Sequence, residues 1–552
     1  MQHFNVLTRR AFLDRSFKIG MGVALSTLVD IPFVMKRALA EGSIGLNGKK
    51  LLFLFLRGAN DGINSVIPIQ DSAYNTDINP ATGTVIRPNI AISKDGAADY
   101  SASGIAADFP QSSSVSTDPN FGTFYYPNGI RLGNGFAALH PGLKFLSPVY
   151  NSGDLALVHR VAYPKQSRSH FDSQNYWENG NPNNDLSKDG IFYRTMVQSG
   201  LAATSPLTGV SVQSALPLLL RGSAAAMTNL TDPTRYNLLG IPNNGPGNAR
   251  SDSVLQAAAF YPFADKQNRE LLSLQYKNMT DTLAIFAGID FSETGNTFMD
   301  DANTDGDSVP YNLFPTTNAK NGGYAAHGNN TAKYVVDTGA YSLFTNLKAA
   351  ALVLNKTDAI IAGTEIAGNA FDNHQNQGGA TGTHANLLKR VGWAMYALRK
   401  YFLNYADKCT WNNLVIVTLS EFGRTSKQNT SAGTDHAEAG VMFLAGGPVQ
   451  GYGKAGRTTG VFNCAGAVDP TTNPLAWTTG LSGSMFAISS NYLRRTTDYR
   501  SVLGKLIRDH LGASQNQLNA IIPGYVDSRE KLQSGGTSTI DNTAIAGELG
   551  LI

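Results

Sequence analysis

LVIVTLSEFGRTSKQNTSAGTDHAEAGVMFLAGG, residues 414–447, is the stretch whose reading decides the fold. It opens with an apolar run, Leu414–Leu419, of the kind expected for a buried parallel strand. Where the run stops, the chain presents Ser420, Glu421 and Arg424. A loop rich in Ser, Thr, Asn and Gly leads to Asp435 and His436. A second apolar run, Val441–Ala445, closes in Gly446-Gly447-Pro448. Titratable side chains just past the end of a buried strand are where open α/β sheets keep their ligands. The stretch predicts an α/β fold with a site at the C-terminal edge of its sheet.

The same pattern recurs along the chain. Lys49–Leu56 reads as the first buried strand and ends in Arg57-Gly58-Ala59-Asn60-Asp61-Gly62. Asp61 has two readings there: a turn aspartate, the usual fate of Asn-Asp-Gly, or a functional carboxylate at a strand end. Leu155–Val161 is a second buried strand. Ser167–Gln174 follows it, with Ser169 near a helix N-terminus. Ser169 either offers an anion site there or acts as an N-cap, with Asp172 completing an acidic capping box; the spacing favours the cap. Ala359–Ala362 is a further strand, followed by Phe371–Gln377 and His384. Asp372 and His374, two apart on a loop, can both reach one divalent ion.

Helical spacing of apolar residues predicts helices over Ala340–Leu354, His384–Tyr405 and Asp498–Leu511, with others at Ser253–Phe260 and Arg269–Phe286. Residues 71–135 and 287–335 read as loop insertions, the first as a long surface excursion. Within the second, Asp301, Asn303, Asp305 and Asp307 with Gly306 match the first half of a calcium loop. Asn312 at the twelfth position cannot supply the bidentate carboxylate, so an ordinary Asp/Asn-rich surface loop is the other reading.

The chain has 552 residues, 42% apolar and 15% charged, enough for one large or two medium domains. A net charge of +3 gives no electrostatic footprint for nucleic acid. Two cysteines, Cys409 and Cys464, cannot form a metal cluster alone. They read as one disulfide of an exported protein or as two buried thiols. Residues 1–40 carry Arg9-Arg10, a moderately apolar segment over Ile19–Val34 and Ala38-Leu39-Ala40 before Glu41. This is the layout of a twin-arginine export signal, rather than of a transmembrane anchor. The expected organisation is a leader over 1–40, an α/β domain over 41–512 and a mobile C-terminal extension over 513–552, Ser/Thr/Gly-rich from Gln533 onward.

Together, the twin-arginine leader, RGANDG, SRSHFDSQ, FDNHQNQ, EFGRT, GTDHAEAG and TDYRSVLGKLIRDHLG, in this order, resemble the exported bacterial family called domain of unknown function 1501. The resemblance spans about Lys49 to Gly512. It implies membership of the alkaline-phosphatase-like superfamily of sulfatases and phosphatases, with a three-layer α/β/α sandwich around a mostly parallel sheet. It also implies a site for one or two divalent ions (Zn, Mn, Mg or Ca) at the sheet edge. Carried over, Asp61 would hold one ion, and Asp372, His374 and His436 the other. Glu421 stands where the superfamily has the Asp of an Asp-His pair, and Asp435 directly precedes the last histidine. Ser169 or Ser167 would be the nucleophile, and His170 a ligand or base. The sequence departs from the pattern at Phe422, which occupies the place of that pair's histidine.

Such a site suits phosphate or sulfate esters, whose negative charge divalent ions neutralise. Arg424 is placed to grip the non-bridging oxygens with its planar fork, with Arg57 as a second possibility; the other reading of each arginine is a structural pair with a neighbouring carboxylate. The expected function is an exported metal-dependent ester hydrolase, on a small-molecule or polymer substrate. The alternative is a non-catalytic envelope or secreted binding protein. The expected partner is the twin-arginine export machinery, with no nucleic acid and no stable transmembrane anchor.

Overall fold

The computed structural model describes residues 44–75, 85–94, 98–99, 129–201, 207–225, 227–231, 281–286, 288–291, 313–315, 338–466, 475–527 and 529–552. The leader, the calcium-loop stretch at Asp301–Asp307 and the helix expected over Ser253–Phe260 lie outside them. So does most of Arg269–Phe286, of which residues 281–286 are helical.

Nine strands form one mixed, mostly parallel sheet. In chain order they are β1 (Lys50–Leu56), β2 (Leu155–Ala162), β3 (Gly209–Val212), β4 (Thr228–Leu230), β5 (Ile361–Ile366), β6 (Leu414–Leu419), β7 (Gly440–Ala445), β8 (Val461–Phe462) and β9 (Thr497–Asp498). The spatial order is β8-β2-β7-β6-β1-β5-β3-β4, with β9 also paired to β2. β1 is central and parallel to both neighbours: Phe53 faces Val417 of β6 on one side and Gly363 of β5 on the other. β7 runs antiparallel to both β6 and β2.

The strands are continuous apolar runs because both sheet faces are buried. Alternate side chains of β1 enter two separate cores. Leu52, Leu54 and Leu56 join one, and Leu51, Phe53 and Phe55 the other. The first core is filled by helices α3 (Tyr341–Lys356) and α4 (Thr383–Asn404), through residues such as Phe344, Leu347, Val391 and Trp393. The second is filled by α1 (His170–Asn179), α2 (Ile191–Ser199), α5 (Tyr499–Lys505) and α6 (Gln515–Ile521). Among the described residues no helix is long and apolar enough to cross a membrane.

Two regions pack more closely than their composition predicts. In the 71–135 region, read as a surface excursion, Tyr74, Ile86, Arg87, Ile90, Ile92, Ile130 and Leu132 are all buried. Isolated aliphatics there, spaced without period, reach the core individually. In the C-terminal segment 513–552, read as mobile, Leu518, Ile521, Ile522, Tyr525, Leu532 and Leu551 are buried in the second core. Its backbone also bonds the body of the protein, from Ala546 N to Thr496 O at 2.8 Å and from Gln450 N to Leu551 O at 2.8 Å. Both cysteines are buried free thiols.

Candidate metal centre

The topology brings distant segments to one sheet edge. β1, β5 and β6 are parallel neighbours, so Arg57–Asp61, the 367–382 loop and Ser420–Arg424 all leave the same end. β7 is antiparallel to β6 and β2, so β2 delivers its C-terminus there too, and β7 its N-terminus. His170 then arrives from the loop after β2, Asp372 and His374 from the loop after β5, and His436 from the loop before β7.

The three imidazoles meet at their Nε2 atoms. His436 Nε2 lies 3.1 Å from His170 Nε2, 3.0 Å from His374 Nε2 and 3.2 Å from Asp372 Oδ1. His374 Nε2 is 3.0 Å from Asp372 Oδ1, and His170 Nε2 is 3.4 Å from Asp372 Oδ2. Donor atoms of His170, Asp372 and His436 all lie within 4.8 Å of one another.

The outer nitrogen of each ring faces an oxygen. His170 Nδ1 is 2.8 Å from Glu421 Oε1, His374 Nδ1 is 3.0 Å from Asp435 Oδ1, and His436 Nδ1 is 2.8 Å from the Arg168 carbonyl. A carbonyl or carboxylate oxygen there accepts, so in each neutral ring the proton sits on Nδ1 and the lone pair on Nε2. The lone pairs of His170 and His436 and the Asp372 carboxylate therefore converge on one small volume, and the His374 lone pair borders it beside His436 and Asp372. Imidazoles that donate their other N–H to a carboxylate or carbonyl are the standard way proteins orient metal-binding histidines. The donor set, three nitrogens and a carboxylate oxygen, suits a borderline or transition-metal divalent cation such as Zn or Mn. The residues fit the group the sequence implied.

Electrostatics favour the ligand forms of Asp372 and His436, and oppose that of His170 until an ion displaces its proton. Burial works against the charge of Asp372, but the hydrogen bond and charge of Arg424, with His374 and His170 beside it, bring its carboxyl down to about 2. Glu421 is fully buried, which also opposes its charge; hydrogen bonds from His170, Gln174 and the Gly58 N–H lower it nonetheless. Burial lowers His436, reinforced by the charges of Arg424 and His170. In His170 burial is outweighed by Glu421, and the ring is raised.

The expected site residues divide between those that meet and those that do not. Asp372, His374 and His436 meet, and His170 joins them as a fourth donor. Glu421 and Asp435 stand behind His170 and His374 rather than among the donors. Asp61 is elsewhere: its carboxylate pairs with Arg87 at 2.7 Å, accepts from Gln377 Nε2 at 2.7 Å and caps the turn at Gly62–Ser65. That buried pair explains why it is not a ligand. Arg424 is also committed. Its guanidinium donates to Ala59 O at 2.8 Å, Thr434 O at 3.1 Å and Asp372 Oδ1 at 2.6 Å, and also to Gly58 O. It is 1% exposed, so it ties three loops together and aims Asp372 instead of gripping substrate oxygens. Ser169 caps α1, accepting from the Asp172 N–H. No hydrogen bond among the described residues links it to the imidazoles. Phe422 packs its ring on His170 and His436, with centroids 4.8 and 4.9 Å away. It walls the rings where a histidine ligand was the family expectation.

Sequence reading missed Gln174, Asn429 and the Arg168 carbonyl. Gln174 Nε2 holds Glu421 at 2.8 Å, and Asn429 Nδ2 holds Asp435 at 3.0 Å. Gln174 lies inside the quoted SRSHFDSQ stretch, one helical turn from His170, which is the signal that could have found it. A backbone carbonyl leaves no trace in a sequence.

Gly58 shows why RGANDG opens on glycine. Its φ is +102°, and a Cβ there would stand 2.5 Å from Asn369 O and 2.6 Å from Asp372 N. Gly58→Ala is expected to cost about 1–3 kcal/mol in a urea melt and to weaken metal binding, because the displaced backbone carries Asp372. Glu421→Gln, which keeps shape but removes charge behind His170, is expected to lower metal affinity about 10–100-fold with little change in melting, measured by competition with a chromophoric chelator.

Residues 338–474 match the model of a family described as "Protein of unknown function (DUF1501)". The matched span contains Asp372, His374, Glu421, Asp435 and His436, and not His170. No curated protein and no solved structure matches the chain.

Proposed function

We propose that this protein is an exported, metal-dependent hydrolase of phosphate or sulfate esters, built on a three-layer alkaline-phosphatase-like fold. The observation that carries the reading is the convergence of the His170 and His436 Nε2 lone pairs and the Asp372 carboxylate at the C-terminal sheet edge, with His374 beside them and each imidazole backed by an oxygen. His170, Asp372, His374 and His436 would hold the ion. When bound, it supplies positive charge that neutralises an anionic ester and polarises its oxygens.

This chain's own residues supply the rest. Glu421, Asp435 and the Arg168 carbonyl fix the tautomer and tilt of the rings. Arg424 aims Asp372 and keeps it ionised. Phe422 excludes water from the buried side of His170 and His436. The leader pattern over residues 1–40 supports export, through machinery that carries folded proteins.

A second reading, a ligand-binding protein without turnover, is favoured by one specific observation. The serine and arginine assigned to the chemistry are both in structural use, Ser169 as a cap and Arg424 as a loop clamp. Metal analysis of the purified protein, then assay of phosphate monoesters, phosphate diesters and sulfate esters with the metal-loaded form, separates the two. Metal with turnover supports the hydrolase, metal without turnover supports the binding protein, and no metal overturns both in this form.

A further inference from the structure

Beside the imidazole cluster, between α1 and the segment after β3, lies an open cleft of about 680 Å³. That volume is in the range that encloses a ligand of oligosaccharide or drug size. The cleft shares a wall with the candidate centre: Gln174 lines it and also donates to Glu421, which holds His170. Phe171, next to His170 in sequence, stands on its rim 88% exposed.

The lining carries no net charge. Two arginines, Arg57 and Arg221, accompany two glutamates, Glu178 and Glu365. Arg57 bonds Glu178 at 2.6 Å and Glu365 at 2.8 Å, and all three are largely buried. Those two bonds leave further guanidinium donors of Arg57 and the second oxygen of Glu365 without a partner among the described residues. The Asn175 amide and the Arg221 guanidinium are likewise unpaired there. Gln213, 5% exposed, lines the same cleft with an Oε1 that has no partner.

An anion would find no excess positive charge here, and a lipid chain would meet too many unspent polar groups. Planar amide, carboxylate and guanidinium groups side by side match the paired donors and acceptors of vicinal hydroxyls. An exposed aromatic face next to them suits the C–H face of a pyranose ring.

We infer that this cleft binds a neutral saccharide, so that the substrate class of the adjacent centre is a phosphate or sulfate ester of a sugar. The second half rests on the hydrolase reading; the first does not. The test is isothermal titration of the full chain with four uncharged trisaccharides (maltotriose, cellotriose, mannotriose and triacetylchitotriose) and with adenosine. The variants are Phe171→Ala, which removes an exposed ring and leaves the fold alone, and His436→Ala. At least one trisaccharide is expected to bind, about tenfold more weakly to Phe171→Ala and equally to His436→Ala. Failure of all four to bind, equal binding by Phe171→Ala, or loss of binding in His436→Ala each overturns the proposal. So does adenosine binding with the same dependence on Phe171, which assigns the cleft to a nucleoside. Because the saccharides carry no ester and need no ion, their binding stands or falls separately from metal content and turnover.

Discussion

His436→Ala is expected to abolish divalent-metal binding at the proposed centre while leaving the fold intact. Of the three imidazoles, His436 is the one whose Nε2 meets both of the others, at 3.1 Å from His170 and 3.0 Å from His374, and it lies 3.2 Å from Asp372 Oδ1. Removing it takes away a ligand and also the ring that spaces the other two imidazoles. The loss of affinity is expected to exceed the roughly 10–100-fold typical of an outer-shell residue. The side chain is 27% exposed and makes no apolar core contact of the kind that costs several kcal/mol on truncation. Elemental analysis after dialysis reads the metal, and circular dichroism reads the fold. Full metal content in a folded His436→Ala protein would remove the centre described above.

Arg87→Met is expected to destabilise the protein by about 3–5 kcal/mol, the cost of leaving one member of a buried ion pair alone. Arg87 is 0% and Asp61 2% exposed, and two guanidinium nitrogens reach the carboxylate, at 2.7 and 3.3 Å. Arg87 also donates to Ser426 O and Thr425 O, both at 2.8 Å, and so fastens the segment after β6 to the segment after β1. The damage extends toward the metal centre, because Asp61 accepts from Gln377, which in turn accepts from Thr434, two residues before His436. A urea melt measures the loss. The double variant Arg87→Met/Asp61→Asn is expected to recover part of it, since the uncompensated charge is then gone. The same pair sets an acid limit. Burial alone would raise Asp61, but Arg87 dominates and holds it to about 2, below its ordinary value of 3.8. A depressed carboxyl stabilises the fold above the unfolded-state value and loses that contribution as pH falls through the folded one. The Arg87–Asp61 contribution is therefore complete above about pH 4 and declines toward pH 2, and Asp61→Asn removes that part of the acid transition.

The sheet was legible where burial on both faces forces continuous apolar runs. Leu414–Leu419 is a strand over the residues its hydropathy predicts, and Lys49–Leu56 differs by one residue at its start. The antiparallel direction of Val441–Ala445 was not legible, because a buried strand looks the same read either way. The donor loops around Asp372, His374 and His436 stood out because titratable residues follow strand ends. Which residues ligate and which stand behind them did not, since that depends on which ring nitrogen faces which oxygen. Glu421 and Asp435 read as ligands for this reason, and His170 reads equally as ligand or base. The pairing of Asp61 was not legible because its partner lies 26 residues on, in a stretch whose polar composition hid Arg87 and four buried isoleucines.

The antiparallel course of β7 has a consequence for timing. His436 enters the cluster against the direction of the other strands, and its contact with His170 spans 266 residues of sequence. No contiguous fragment shorter than that span holds both rings. The cluster therefore assembles only once β2 and β7 have paired, which is late in the synthesis of the chain.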